Sequence, residues 1–334
     1  MIGIKDIGVY IPSKRIDNMN KSYNGQLVDK AFIKDKVGFV SLARMADDEN
    51  TVELCLKALE NLQQRLPDFN VSSVDFLCVC TQNGEYQLPH TSAILHGKLN
   101  LSPQCSTFDL NLGCSGYIYS LDVVRHFMEG NDLETGLLFT CDPYSQIVSP
   151  DDKSTDLIFG DAATVTLLTT DGAWKLGKPQ YLTKGSDASA LIKKNDAPLF
   201  MDGRKIFNFV MRDGVAVIRK CLEKNNLSAE DVDRFLFHQA SLYVVKNLAH
   251  QLKLPPEKVP FEAQEYGNAV SSSIPILLQV LCPPHMDTNA FSYADSASAC
   301  RYRLCQPSER KDKCIFLWGC GVGLSLAAMP ILRR

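Results

Sequence analysis

Short apolar runs alternate along the chain with segments whose apolar residues recur at helical spacing. The runs at 76–81, 107–111, 136–142, 163–169, 235–238, 314–319 and 323–329 are too short for helices and rich in β-branched, Cys and other apolar residues, so they predict buried strands. Helical periodicity predicts helices over 50–65, 115–129, 203–225 and 242–251. Thr51 is the expected cap of the first, with Glu53 beginning its polar face. Strands separated by helices predict an α/β architecture.

No Pro/Gly/Ser-rich linker divides the chain, but a faint internal repeat does. Asn-Val-Ser-Ser-Val-Asp-Phe-Leu-Cys at 70–78 matches Asn-Leu-Ser-Ala-Glu-Asp-Val-Asp-Arg-Phe-Leu at 226–236, with their Val-Asp steps 158 residues apart. Gly113-Cys114-Ser115-Gly116 and Gly267-Asn268-Ala269-Val270 each precede a predicted helix, 154 residues apart. A strand ending at Cys141-Asp142 then matches one ending at Gly319-Cys320. Three matches in one order predict two related halves, 1–172 and 173–334, in one structural unit.

Composition narrows the classes. The 334 residues are 45% hydrophobic and 22% charged, with 35 basic against 38 acidic side chains and a formal charge of −3. Without a dense basic block, neither nucleic acid nor an anionic membrane is the expected main partner. Twelve dispersed cysteines are far below the roughly 8–10% that marks a disulfide scaffold, so a reduced, cytoplasmic protein is expected. The first twelve residues alternate with charges like a strand, which predicts no leader peptide. No apolar run approaches the roughly 18 residues of a membrane span.

Among the cysteines, Cys114 has the context of a nucleophile. It follows an apolar strand and precedes a helix, where unpaired backbone N–H groups and the helix dipole favour thiolate. Gly113 and Gly116 permit close approach of other backbone or substrate. Most of the other cysteines are expected simply to pack. His238 ends a strand, the place where ligands bind in open α/β sheets. Asn268 reads first as a helix cap, and gains weight because it occupies the repeat position equivalent to Cys114. The turn Gly319-Cys320-Gly321-Val322-Gly323 opens no helix, so it is no dinucleotide fingerprint, but it can offer backbone N–H groups to an oxyanion. No second Cys/His pair stands at zinc spacing, and no metal is expected.

Together these motifs resemble the β-ketoacyl-acyl carrier protein synthase III family of thiolase-superfamily condensing enzymes. The elements that carry the resemblance run through the chain in the family's order. They are Gly-Val-Tyr-Ile-Pro at 8–12, Lys-Val-Gly-Phe at 36–39, Asn-Leu-Gly-Cys-Ser-Gly at 111–116, Ile-Phe-Gly-Asp-Ala-Ala at 158–163, Met-Asp-Gly-Arg-Lys-Ile-Phe at 201–207, His-Gln-Ala at 238–240, Tyr-Gly-Asn at 266–268 and Gly-Cys-Gly-Val-Gly at 319–323. The resemblance implies a thiolase-like, duplicated five-layered αβαβα fold, with Cys in the first half and His and Asn in the second, forming a homodimer.

It also implies a two-stage reaction without a cofactor, in which acyl-CoA and malonyl-ACP are substrates. Cys114 takes the acyl group. His238 and Asn268 then hold the malonyl thioester carbonyl through decarboxylation, and the enolate attacks the acyl-Cys114. Backbone N–H groups of Cys114 and Cys320 form the oxyanion hole.

Departures from the family concern substrate binding. Its CoA-stacking Trp is Phe32 here and the opposing Arg is Lys153, which implies a weaker nucleotide sandwich. A neighbouring Arg is Lys36. After His-Gln-Ala, Ser241 and Tyr243 stand for Asn and Arg, and loss of that Arg weakens the case for an acyl carrier protein partner. The segment 282–313 exceeds the family length and is expected to shape a partner surface or cover the tunnel. A specialised acyl, polyketide or glycolipid pathway fits these departures better than housekeeping fatty acid biosynthesis. Acyl transfer from Cys114 to an alcohol or amine is the alternative. A papain-like hydrolase has a different Cys context and chain order, and retention of all three polar residues argues against a degenerate subunit.

Overall fold

The predicted runs form strands, most of them buried; the exception is the run at 107–111, which carries Asp109 and Asn111 and forms an edge strand that is only half-buried. The computed structural model describes residues 1–282 and 312–334. Its principal sheet comprises β1 (Gly3–Tyr10), β2 (Phe76–Cys80), β3 (Ser106–Leu110), β4 (Thr135–Cys141), β5 (Ala163–Thr169), β6 (Trp174–Leu176), β7 (Gln180–Thr183), β8 (Arg234–Phe237), β9 (Cys314–Gly321) and β10 (Ser325–Arg333). The order is β8-β9-β10-β6-β1-β5-β4-β2-β3, with β7 also paired to β10. β2 is parallel to β3 and β4 in one arm, and β8 is parallel to β9 in the other. Antiparallel pairing of β1 with β6 joins the arms.

Helices are α1 (Thr51–Arg65), α2 (Thr91–Lys98), α3 (Gly116–Gly130), α4 (Gly203–Phe209), α5 (Val215–Lys224), α6 (Leu242–Gln251) and α7 (Ser273–Leu281). Strand alternation sorts the side chains into layers. On β2, Leu77 and Val79 pack outward with Leu54, Leu59 and Leu62 of α1. Phe76, Cys78 and Cys80 face inward, in one core with Tyr117 and Leu121 of α3, Ile274 and Leu278 of α7, and Ile315 and Leu317 of β9. Phe316 and Trp318 of β9 take the far face with Val217 and Ile218 of α5 and Val245 of α6. The layers therefore run helix, strand, helix, strand, helix, with α3 and α7 between the two arms.

Two local expectations change. Asn50, not Thr51, caps α1: Asn50 Oδ1 accepts the Glu53 N–H at 2.9 Å, whereas the Thr51 hydroxyl donates to Asn83 O at 2.6 Å. The helix predicted over 203–225 is interrupted by a π turn at Val210–Gly214, which brings Gly214 against the Trp318 ring, 2.9 Å from where a Cβ would stand. The long segment 282–313 lies outside the described residues except at its ends.

Candidate active site

Glycines decide how closely the elements around Cys114 approach. The Gly116 N–H donates to Gly113 O at 2.7 Å and closes the turn between β3 and α3. A Cβ on Gly116 would stand 2.5 Å from Cys80 Sγ. β9 lies directly on the turn: a Cβ on Gly319 would be 2.7 Å from Cys114 O, and one on Gly321 would be 3.0 Å from both Cys114 N and Cys114 Cβ. Real Cβ atoms avoid such distances, so the glycines flanking Cys320 are required for the contact. The Ser115 and Ser325 hydroxyls, 2.6 Å apart, pin the head of α3 to β10.

His238 extends the parallel β8–β9 ladder by one bond, its N–H donating to Trp318 O at 2.8 Å. Trp318 precedes Gly319, so adjacent residues of β9 hold His238 and touch Cys114. Gln239, buried beside it, donates to Phe237 O at 2.8 Å and accepts the Glu262 N–H at 2.9 Å, which fixes the loop after β8.

Asn268 arrives by a different route. A Cβ on Gly160 would stand 1.7 Å from Tyr266 O, and Gly267 has φ +86°, a region where glycine carries no Cβ penalty. The Asn268 N–H donates to Ile158 O at 2.9 Å, and Asn268 O accepts from Gly160 at 3.0 Å. The Ile-Phe-Gly-Asp-Ala-Ala and Tyr-Gly-Asn segments are thus two sides of one contact. Asn268 Oδ1 accepts the Val270 N–H at 2.8 Å. Val270 is held at φ +50°, a genuine outlier for a β-branched residue. Its Cγ1 is 3.3 Å from where a Gly113 Cβ would stand, which brings the Asn268 turn against the residue before Cys114.

The surroundings are apolar. Cys114 shares a core with Tyr144, Phe159, Val270, Cys320 and Leu324, and Cys114, His238 and Asn268 are all buried. Burial pushes the Cys114 thiol well above its ordinary value, reinforced by Cys320 and Asp142, while its own backbone N–H pulls the other way. Burial therefore opposes the thiolate that position at a helix head favours. Burial also pushes Cys320 up to about 12 and His238 down to about 3, so the imidazole is neutral at physiological pH. His238 Nδ1 has no hydrogen-bond partner among the described residues.

Of the expected CoA-binding residues, Phe32 and Lys153 lie together: Lys153 Nζ sits 5.0 Å from the Phe32 ring centroid, a cation–π contact. Lys36 Nζ lies 4.2 Å from the Tyr243 centroid, and Tyr243 stacks on Phe207 at 5.3 Å. Ser241 instead caps α6, accepting the Val244 N–H at 3.3 Å.

Sequence reading missed Asp142, Gln82, Tyr144 and Ser271. Asp142 Oδ1 accepts the Gln82 N–H at 2.6 Å and its Oδ2 the Ser271 hydroxyl at 2.5 Å. The Tyr144 hydroxyl donates to Gln82 Oε1 at 2.8 Å. The available signal was an acidic residue directly after the run 136–141, in which Thr140 is the one polar side chain.

Comparison with known proteins points to one family. Residues 108–185 match the family model described as 3-oxoacyl-[acyl-carrier-protein (ACP)] synthase III, and residues 222–284 match its C-terminal counterpart. The β-ketoacyl-[acyl-carrier-protein] synthase III of Levilactobacillus brevis is 31% identical over 254 residues, 71% of this chain and 77% of that relative. The Streptococcus sanguinis protein of the same name is 30% identical over 288 residues, 82% and 88% of the two chains. A crystal structure of 3-oxoacyl-(acyl-carrier protein) synthase from Burkholderia xenovorans LB400 covers 99% of this chain and 94% of its own, with TM-score 0.83 and 29% identity.

Proposed function

The chain belongs to the β-ketoacyl-[acyl-carrier-protein] synthase III family, condensing enzymes of the acyltransferase class with a thiolase-like α/β fold, and on that footing we propose that it joins an acyl group from acyl-CoA to a malonyl unit through Cys114. The observation that carries this reading is the convergence on Cys114: β9 touches it and holds His238, and the turn bearing Asn268 abuts Gly113.

In the first stage the Cys114 sulfur attacks the acyl-CoA carbonyl and the thiol loses its proton as the acyl-enzyme forms. The head of α3 and the cysteine's own N–H favour the thiolate at that moment, against the cost of burial. N–H groups of Cys114 and Cys320 receive the developing oxyanion. CoA thiolate departs and takes up a proton.

In the second stage a malonyl thioester, on carrier protein or CoA, places its carbonyl between His238 and Asn268. A neutral imidazole donates one N–H without introducing a buried charge. The Asn268 oxygen is held by Val270, so its amide nitrogen is the end left to donate. Loss of CO₂ leaves an enolate held by these donors, whose carbon attacks the acyl-Cys114 carbonyl. The 3-oxoacyl thioester departs and the cysteine regains its proton.

We also propose a homodimer. The edge strand β3 pairs only with β2 among the described residues. The adjoining loop is tied to β3 by the Thr91 N–H donating to Asp109 at 2.7 Å, and it exposes Tyr86 (62%) and Leu88 (87%). A second copy that extends the sheet would cover both.

The test is a panel of acyl-CoAs read by mass spectrometry, followed by addition of malonyl thioester. An acyl mass on the wild type that is absent from Cys114→Ala, and CO₂ release on condensation, are expected. A wild type unlabelled across the panel removes the nucleophile assignment. Product formed without CO₂ release identifies acyl transfer to an alcohol or amine instead.

A further inference from the structure

Asp142 is the buried ionisable group near the site that the proposed reaction leaves without a task. It follows β4, is fully buried, and bonds in two directions. Through Oδ1 it accepts the N–H of Gln82, whose Oε1 receives the Tyr144 hydroxyl and lies 2.5 Å from where a Gly113 Cβ would stand, next to the nucleophile. Through Oδ2 it accepts the hydroxyl of Ser271, adjacent to Val270, whose N–H fixes Asn268 Oδ1. The neighbouring Ser272 hydroxyl reaches Thr140 O at 3.0 Å, so the same turn is also anchored on β4 itself.

We propose that Asp142 is a positioning residue that ties the Cys114 turn and the Asn268 turn into one rigid unit. The proposal rests on the reading of Cys114 as nucleophile and Asn268 as carbonyl donor. Among the described residues the two turns share no backbone hydrogen bond: the Asn268 turn is held by backbone bonds to Ile158 and Gly160, and it reaches the Cys114 turn through side chains, where a carboxylate offers acceptors in two directions and a hydroxyl or amide offers fewer. Burial of the carboxyl, which raises it to about 6, costs stability that a merely structural position would avoid with an apolar side chain. An asparagine keeps the Gln82 bond through its oxygen and can donate to the Ser271 hydroxyl oxygen, losing only the Ser271 backbone N–H that the carboxylate also receives. Geometry and charge are thereby separable.

The experiment measures self-acylation, malonyl decarboxylation and amide hydrogen exchange of the full chain with Asp142→Ala, Asp142→Asn and Ser271→Ala. Misplacement of about 1 Å is expected to slow both half-reactions about 100-fold in Asp142→Ala, with the KM for acyl-CoA unchanged. Exchange should quicken in the segments 110–117 and 266–273 and not elsewhere. Asp142→Asn should recover most of the lost rate and protection. Ser271→Ala, which cuts one arm only, should slow decarboxylation and leave self-acylation intact; it decides the matter if Asp142→Ala does not fold. Wild-type half-reactions in Asp142→Ala, an Asp142→Asn as slow as the alanine variant, or unchanged exchange and decarboxylation in Ser271→Ala overturns the proposal. A wild type without condensing activity counts against the reaction, and the exchange data still decide the positioning.

Discussion

The side-chain oxygen of Asn268 accepts the backbone N–H of Val270 at 2.8 Å, and this bond fixes which end of the amide remains for a ligand. Asn268→Asp keeps an oxygen for Val270 and replaces the donating nitrogen with a second acceptor. Malonyl decarboxylation is expected to fall by about 100- to 1,000-fold while Cys114 still takes up acyl mass. Release of labelled CO₂ is the measurement, and an unchanged rate removes Asn268 from the carbonyl site.

His238 is expected to serve the second stage alone. In His238→Ala the acyl mass should still appear on Cys114, whereas 3-oxoacyl product should be lost. If product persists undiminished, the imidazole does not hold the malonyl carbonyl.

Gly321 separates close packing from chemistry. A methyl in Gly321→Ala would stand 3.0 Å from both the Cβ and the backbone nitrogen of Cys114, so the nucleophile must move. Overpacking of this kind typically costs about 1–3 kcal/mol, and self-acylation should slow more than the melting temperature suggests. Thermal unfolding alongside acyl-mass kinetics checks both, and a variant with wild-type kinetics means the strand yields instead of the cysteine.

Acid stability should reveal two opposed buried groups. The fold resists protonating His238 until about pH 3, whereas the unfolded imidazole takes a proton near pH 6.5, so acidification below that point destabilises by about 1.4 kcal/mol per pH unit. Asp142 has the reverse sign. The fold holds its proton below about pH 6 and the unfolded carboxyl only below about 3.9, so acidification between those values stabilises at a similar rate. The contributions cancel from pH 6 to 4, and below pH 4 the loss from His238 stands alone. Resistance to urea should therefore fall in Asp142→Asn on acidification from pH 6.5 to 4, and rise in His238→Phe. Parallel slopes in both variants and the wild type contradict these ionisations.

Lys153 over Phe32 offers a test of where acyl-CoA binds. Lys153→Ala removes the cation over Phe32 and is expected to change the KM for acyl-CoA with little change in kcat. A lower KM means that Lys153 blocks the Phe32 face, and a higher one that it contacts the ligand. An unchanged KM places nucleotide binding elsewhere.

The sequence by itself indicated the strands at the apolar runs and the helices over 50–65, 115–129, 203–225 and 242–251, and it singled out Cys114, His238 and Asn268, because each of these signals is local, whereas β6, β7 and α2 carried none. Short, largely apolar runs bounded by turns favour buried strands; Cys114 and His238 sit where a run gives way to a glycine turn or a loop, and Asn268 stands in the Tyr-Gly-Asn turn before α7. Cap identity and the π turn were not legible: Asn50 and Thr51 are both competent caps, and the ring that Gly214 meets lies more than a hundred residues away. Tertiary structure alone set burial against the helix head at the site, since the apolar side chains packed around Cys114 push its thiol up. It alone also gave Asp142 its neighbours, because Gln82 and Ser271 are separated by 189 positions in the chain, and only the packing of the two arms around α3 and α7 brings both donors to one carboxylate.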